Sequence, residues 1–405
     1  MVRLAAGTAV LGAVLAASSV SADQQSPYLT GDWNGARTSL TNAGVEPYLT
    51  YIPGGWANVS GGIETGTRYV ALADAGLDLD LDRIAEWHGA RFHIDLHWTV
   101  NGAPSDELVG QFGTDLVSGY ESADAVRFYE IYLEQRLHND ALLIKVGQLA
   151  VDSDFFVSEY SGSLTNGSFS FFGSGRDQFL APYYPLAAPG IYLLAHLSDR
   201  WQVRTGVYTA GVGVDDSSNH GFDWSFNHGA SFGLEVTTSR SPGGLPGQYT
   251  LGTIATTKTL TAYDELGTVR GTIGITAMFD QALVLDADGK PRLGAFLRVA
   301  YSPLSDRAVL RVFGNTGFTL QAPFAARAED AFSFGFSHTQ FAADYLQRQR
   351  ALGQDVTSQE SVVELSYHAV IRPWLAVQPD FQLVLDPHYS HRNAVVLGLQ
   401  ATINF

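Results

Sequence analysis

The segment His88–Asn101 reads HGARFHIDLHWTVN, and its residues alternate between apolar and polar types. The apolar positions, two residues apart, are Ala90, Phe92, Ile94, Leu96, Trp98 and Val100. The polar positions between them are Arg91, His93, Asp95, His97, Thr99 and Asn101. Because successive side chains of a strand point to opposite faces, this period of two predicts one long β-strand with an apolar and a polar face.

The same alternation recurs along most of the chain. In residues 127–137 one face carries Tyr129, Ile131, Leu133 and Leu137, and the other carries Phe128, Glu130, Tyr132, Glu134 and Arg136. Segments of this kind predict about sixteen strands and an all-β chain. One short helix is predicted over Asp32–Asn42, with Asp32 as its N-cap and Gly44 after its end.

Two all-β architectures produce such alternation. A soluble β-sandwich turns the apolar face inward, whereas a transmembrane barrel turns it toward lipid and encloses a polar, water-filled interior. The alternating runs reach the ~9–11 residues of a membrane strand, while strands of soluble proteins average about 5–6. Strand length therefore favours a transmembrane antiparallel β-barrel.

The connections between the predicted strands support the barrel. Long connections alternate with short ones, as in outer-membrane barrels that have long external loops and short periplasmic turns. The long ones are Gly102–Asp124, Ala150–Ala187, Gly211–His228 and Ala342–Glu360. Pro303–Arg307 is short although it falls on the long-loop side, so either this loop is truncated or a strand nearby is miscounted.

The N-terminal residues have the pattern of an export signal. Met1–Arg3 carries a positive charge, Leu4–Ala17 is apolar, and Val20-Ser21-Ala22 is a small-residue cleavage site. The predicted division is therefore a signal peptide at 1–22, a periplasmic segment with the short helix at 23–44, and the barrel at 45–405. The terminal Phe405 closes an alternating apolar run, which is typical of the last strand of an outer-membrane barrel.

Composition excludes several classes of function. The chain has 24 Lys and Arg residues against 41 Asp and Glu, and a net charge of −17 argues against a nucleic-acid partner. With no cysteine, it has no disulfide, thiolate nucleophile or cysteine metal site. No hydrolase or nucleotide-binding motif is present, so no catalytic residue and no cofactor are predicted.

Several motifs, in order, give the chain a family resemblance. They are GDWNGAR at 31–37, RFYEIYLEQ at 127–135, VGQ at 146–148, DF at 154–155, QPDFQ at 378–382 and the terminal Phe405. Together they resemble the carbohydrate-selective porins typified by OprB. The resemblance implies a sixteen-stranded outer-membrane barrel that passes sugars by diffusion, with an arginine-lined constriction narrowed by an inward-folded loop.

Candidate pore-lining residues follow from the strand register. They are Arg91, His93 and Asp95 on one strand, and Glu130, Tyr132, Glu134 and Arg136 on the next. Such pairs of charges and aromatic rings suit sugar hydroxyls and C–H faces. The spacing of His93, Asp95 and His97 also fits zinc or copper, but a hydrated channel wall explains it better, and no metal is predicted.

Two further segments contribute candidates. The 38-residue connection Ala150–Ala187 is expected to fold into the channel and to bring Arg176 near the wall, although a loop that caps the barrel is the alternative. Trp33 and Arg37 on the short helix either line the periplasmic mouth or pack the helix against the barrel.

The predicted function is an outer-membrane porin for passive, sugar-preferring diffusion. Its expected partners are mono- or small oligosaccharides together with outer-membrane lipid and lipopolysaccharide, and the protein is expected to be a monomer or a homotrimer. A general or anion-preferring porin is the alternative within the same class. A secreted carbohydrate-binding β protein and a barrel hydrolase are the alternatives from other classes.

Overall fold

The structure is a computed structural model, and it describes residues 26–112, 115–117, 124–170, 182–211, 219–227, 229–263 and 267–405. The predicted signal peptide at 1–22 and the candidate residue Arg176 lie outside this described part. The division of the chain at residues 22 and 44 therefore stays a prediction.

The strands form one closed barrel in which each pairs antiparallel with its neighbour in sequence, and β1 pairs with β16. Within the described residues there are sixteen strands, as the alternation predicts. They are β1 Val45–Ser60, β2 Gly66–Asp80, β3 Ala90–Val100, β4 Ala125–Leu137, β5 Leu142–Leu149, β6 Ala188–Ser198, β7 Trp201–Thr209, β8 Ala230–Arg240, β9 Gly247–Ala262, β10 Gly267–Leu285, β11 Pro291–Tyr301, β12 Leu310–Gln321, β13 Ala331–Phe341, β14 Gln359–Arg372, β15 Leu375–Leu385 and β16 Ala394–Asn404.

The two faces of the barrel wall have inverted polarity. Outward side chains such as Trp98, Leu251 and Leu399 are more than half exposed, whereas inward ones such as Glu364 and Gln382 are completely buried. A soluble β-sandwich requires the opposite arrangement, because its core is apolar. The outer apolar surface is the lipid-facing band of a membrane barrel.

The loop lengths confirm the predicted sidedness. The four long connections all lie at one end of the barrel, opposite both chain ends. The connection between β11 and β12, residues 302–309, lies at the same end and is short. Because the strand count is correct, this external loop is truncated.

The helix prediction was only partly correct. The segment starts with a 3-10 turn, Trp33–Gly35, and the α-helix (α1) spans Ala36–Asn42. Asn34 at φ 57° and Gly35 at φ 91° are left-handed and prevent one continuous helix. In the described residues two α-helices were not predicted, α2 Leu81–Ala85 and α3 Ala343–Ala351. No helix in the described part of the chain is long and apolar enough to cross a membrane.

A β-bulge corrects the predicted register of β4. The pairing of β3 with β4 shifts between Ile94 and Leu96, so that β4 has one extra residue at this height. On the external side of the shift the buried inward residues are Arg127 and Tyr129. On its periplasmic side they include Glu130 and Glu134. The assignment of Phe128 to the polar face and of Tyr129 to the apolar face was therefore wrong.

Candidate functional site

The connection between β5 and β6, called the long loop here (residues 150–187), enters the barrel. Its described part 150–170 contacts the inner faces of strands on the far side. Three inward carboxylates accept hydrogen bonds from it: Glu235 from Phe156 N at 2.9 Å, Asp280 from Ser158 Oγ at 2.5 Å, and Glu364 from Asn166 N at 3.0 Å. The inward fold is thus confirmed and the capping alternative was wrong for this part of the loop.

One arginine of the wall binds the loop backbone directly. Arg298 of β11 is 1% exposed, and its guanidinium donates to the carbonyl oxygens of Phe156 at 3.1 Å, Phe169 at 3.2 Å and Ser170 at 3.0 Å. Buried polar groups of this kind need such partners, because an unpaired guanidinium inside the barrel would be costly. Arg298 therefore holds the loop in place and is not available to a passing solute.

Aromatic side chains of the loop fill space beside the wall. Phe169 packs edge-on against Phe296, with 6.1 Å between ring centroids. Its ring lies over Gly335 of β13, where a Cβ atom would come within 2.5 Å of the ring. Phe155 packs in the same way against Tyr192 of β6 at 5.5 Å. These contacts place loop side chains inside the barrel against well-separated strands of the wall.

The connection between β3 and β4 also turns into the barrel, which the sequence analysis missed. Leu108 and Leu116 are fully buried against Trp56 and Val396 of the wall. The two inward connections meet where Gly167 N donates to Asp115 O at 2.8 Å. Apolar pairs such as Leu108-Val109 in an otherwise polar external loop are the signal that would have revealed it.

His93 and Asp95, two of the predicted residues of β3, lie on the channel wall. His93 stacks on Tyr132 at 4.9 Å and on Tyr48 of β1 at 6.4 Å. Its Nδ1 lies 3.1 Å from Asp78 Oδ1 on β2, and its Nε2 lies 3.6 Å from Asp95 Oδ2. The neighbours on β1 and β2 were not singled out from the sequence, although Asp74 and Asp78, four residues apart, fall on one face of a strand.

A group of charges and rings occupies the wall where the long loop begins. Lys145 of β5 pairs with Asp154 of the loop at 2.8 Å and lies 4.9 Å from the ring centroid of Tyr132 and 5.5 Å from that of Tyr192. Beside it, Arg204 of β7 contacts Glu235 at 3.4 Å. The inward arginines of this middle section are Arg127, Arg204 and Arg298, of which Arg204 is the most exposed at 23%.

The remaining predicted residues of β4 and β3 divide into two groups. Glu130 is buried and accepts hydrogen bonds from Ala150 N at 2.9 Å and Ser153 Oγ at 2.8 Å, so it fastens the root of the long loop. Glu134 and Arg136 pair at 2.9 Å near the periplasmic end. Arg91 is exposed and lies opposite Glu134 in the strand register.

Trp33 and Arg37 belong to the anchor of the N-terminal segment. The Arg37 guanidinium donates to Phe405 O at 2.8 Å and to Pro47 O at 3.2 Å. It also lies over the rings of Tyr28 at 3.8 Å and Trp33 at 4.1 Å. With 6% exposure Arg37 binds the segment to the base of the barrel, as in the alternative in which the short helix packs against the barrel.

Comparisons with known proteins agree with this arrangement. A family model described as carbohydrate-selective porin, OprB family, matches residues 64–405. Porin B of Pseudomonas aeruginosa is 25% identical, over 93% of this chain and 90% of that protein. The high-pH structure of Pseudomonas putida OprB superposes with a TM-score of 0.85 at 22% identity, over 94% of this chain and 99% of that one. The outer-membrane channel DcaP of Acinetobacter baumannii gives a TM-score of 0.52 at 9% identity, over 89% and 97%.

Proposed function

The chain belongs to the carbohydrate-selective porin, OprB family, and we propose that its barrel passes monosaccharides along a wall of aromatic rings and paired charges. It is a porin of the Gram-negative outer membrane and a channel rather than an enzyme. Selectivity in such a channel depends on its width and on the groups that line it. The groups that line the channel are inferred from the contacts described above.

The observation that carries the proposal is the group around Lys145. Here a cation held by Asp154 lies between the partly exposed ring of Tyr132 and the buried ring of Tyr192. A sugar offers a C–H face that packs on the Tyr132 ring and hydroxyls that hydrogen-bond to both charges of the ion pair. Because each charge already has a partner, the binding stays weak enough for the solute to leave.

The other candidate residues have different roles in this proposal. His93, Asp95 and Tyr132 continue the wall toward β2, and Glu134, Arg136 and Arg91 line its periplasmic side. Arg204 is the inward arginine best placed to contact a solute, since the long loop occupies Arg298. The long loop occupies Glu130 as well. For Trp33 and Arg37 we propose an anchoring role, and the position of Arg176 near the wall stays a prediction from the sequence.

Liposome swelling tests both the preference for sugars and the role of Tyr132. We expect glucose to enter faster than a zwitterionic amino acid of about the same size, and Tyr132→Leu to lower the glucose rate several-fold while the amino-acid rate stays unchanged. Tyr301→Leu, at an outward position of β11, is the matched control. Equal rates for the two solutes in the unaltered protein would instead support a general porin.

The partners of the outer surface are also proposals. The apolar exterior fits outer-membrane lipid, with lipopolysaccharide around the end that bears the long loops. A monomer or a homotrimer is expected, and native mass spectrometry of the detergent-extracted protein distinguishes the two.

A further inference from the structure

Three inward side chains of β2 and β3 converge on one point of the channel wall. Asp74 lies directly opposite His97 in the strand register, and Asp95 precedes His97 by two residues on the same face. One oxygen of Asp74, one of Asp95 and a ring nitrogen of His97 lie within 4.8 Å of one another. We propose that these three side chains bind a divalent transition-metal ion of the zinc class.

The distances fit metal coordination better than direct hydrogen bonds. His97 Nε2 lies 3.5 Å from Asp74 Oδ1 and 3.5 Å from Asp95 Oδ2, whereas N–H···O hydrogen bonds are typically about 2.7–3.2 Å long. Zinc–ligand bonds of about 2.0–2.2 Å place tetrahedral ligand atoms roughly 3.3–3.6 Å apart. Two of the three ligand separations therefore already have this value.

One ligand atom is unsatisfied, and the other two ligands are held in place. Asp74 Oδ1 is buried and has no hydrogen-bond partner. Asp95 Oδ1 accepts from Glu130 N at 2.6 Å, which orients the other oxygen toward His97. His97 stacks on Tyr129 at 4.5 Å, so its ring cannot easily turn away. A cation between the two carboxylates would remove their mutual repulsion.

His93 borders the three ligands. Its Nε2 lies 3.6 Å from Asp95 Oδ2, and its Nδ1 is held by Asp78 at 3.1 Å. Asp74 is 28% exposed at its side chain, which leaves a path for the ion and a fourth position for water. An imidazole ligand favours zinc, copper or nickel over magnesium or calcium.

The test is zinc titration of the untagged, chelator-washed barrel in detergent by isothermal calorimetry. We expect one saturable site per chain, not displaced by excess calcium, and at least a tenfold loss of affinity in His97→Ala and in Asp74→Asn. His88→Ala is the matched control, because His88 also pairs with an aspartate, Asp82, at 2.6 Å but lies exposed on the α2–β3 turn.

Heat-modifiable gel migration verifies that each variant is a folded barrel. Asp74→Asn preserves the size of a partly exposed side chain, so it remains informative where His97→Ala does not fold. No saturable binding by the unaltered protein, or equal affinity in Asp74→Asn and His88→Ala, would overturn the proposal and leave the three residues as an ion-pair network.

Discussion

Asp152, at the root of the long loop, is an acid held away from water. Both of its carboxylate oxygens accept from Tyr184 N, at 3.1 and 3.2 Å. Burial raises the pKa of the Asp152 carboxyl from 3.8 to about 7, and the neighbouring charge of Glu130 adds to this rise. The group therefore takes up a proton in the folded protein at a pH where the unfolded chain has lost it.

This raised pKa predicts how stability depends on pH. The contribution of Asp152 is fully present below about pH 4 and is lost as the pH rises through about 7, since the folded state binds the additional proton. Asp152→Asn removes a titrating group, so we expect its thermal midpoint to fall less than that of the unaltered protein between pH 5 and pH 8. Circular dichroism melts at the two pH values measure the difference.

The control for this prediction is Asp199→Asn, at an exposed position of the β6–β7 turn. It should leave the difference between the two midpoints as it is in the unaltered protein. If Asp152→Asn keeps the full pH dependence, the burial of Asp152 does not destabilise the barrel at high pH.

Among the elements, the long loop depends on a few buried wall groups, of which Arg298 is central. Arg298→Met leaves the loop carbonyl groups of Phe156, Phe169 and Ser170 without their donor. A buried acceptor that loses its donor lowers stability by about 1–3 kcal/mol. We therefore expect chymotrypsin to cut the loop at residues 155–160 at least tenfold faster than in the unaltered protein, because local opening becomes more frequent.

Arg270→Met, at an exposed position of β10, is the matched substitution and should leave the cutting rate unchanged. Gel electrophoresis measures the rate of cutting, and mass spectrometry of the fragments identifies the site of the cut. Equal rates in the two variants would mean that Arg298 does not hold the loop.

The elements differ in how far they follow from sequence. Strands such as β3 are predictable because one local pattern fixes both period and face. The bulge in β4 is not, because it depends on the pairing with Asp95 and its neighbours across the strand. The inward path of residues 101–112 and 115–117 and the helix α3 depend on contacts with distant wall residues such as Trp56 and Phe341, which no local pattern encodes.

The candidate site divides in the same way. His93, Asp95, Tyr132 and Glu134 were predicted because each lies on the polar face of its own strand, β3 or β4. Lys145 and Arg204 were not singled out, since only barrel closure and the entry of the long loop bring them beside Tyr132 and Asp154. The family motifs predict the overall fold, whereas the partner of each charged side chain is known only from the three-dimensional arrangement.

For the molecule as a whole, the barrel and the loop inside it are separable. β5 and β6 pair directly up to Leu149 opposite Ala188, so a turn of four Gly and Ser residues is long enough to replace residues 151–186. The wall would still close through its sixteen paired strands. Its inner face would then lose the loop groups that contact Glu235, Asp280 and Glu364.

This separation predicts a wider channel with a changed charge preference. We expect the shortened barrel to keep its heat-modifiable migration, to conduct more in planar bilayers, and to shift its reversal potential toward cation selectivity. The shift follows because the three uncovered carboxylates Glu235, Asp280 and Glu364 outnumber the two uncovered cations, Arg298 and Lys145. A wall with an excess of one charge concentrates the opposite ion. The same deletion combined with Glu235→Gln, Asp280→Asn and Glu364→Gln should keep the high conductance and lose the cation preference. A shortened barrel with unaltered conductance would show that the narrowest section lies outside the long loop.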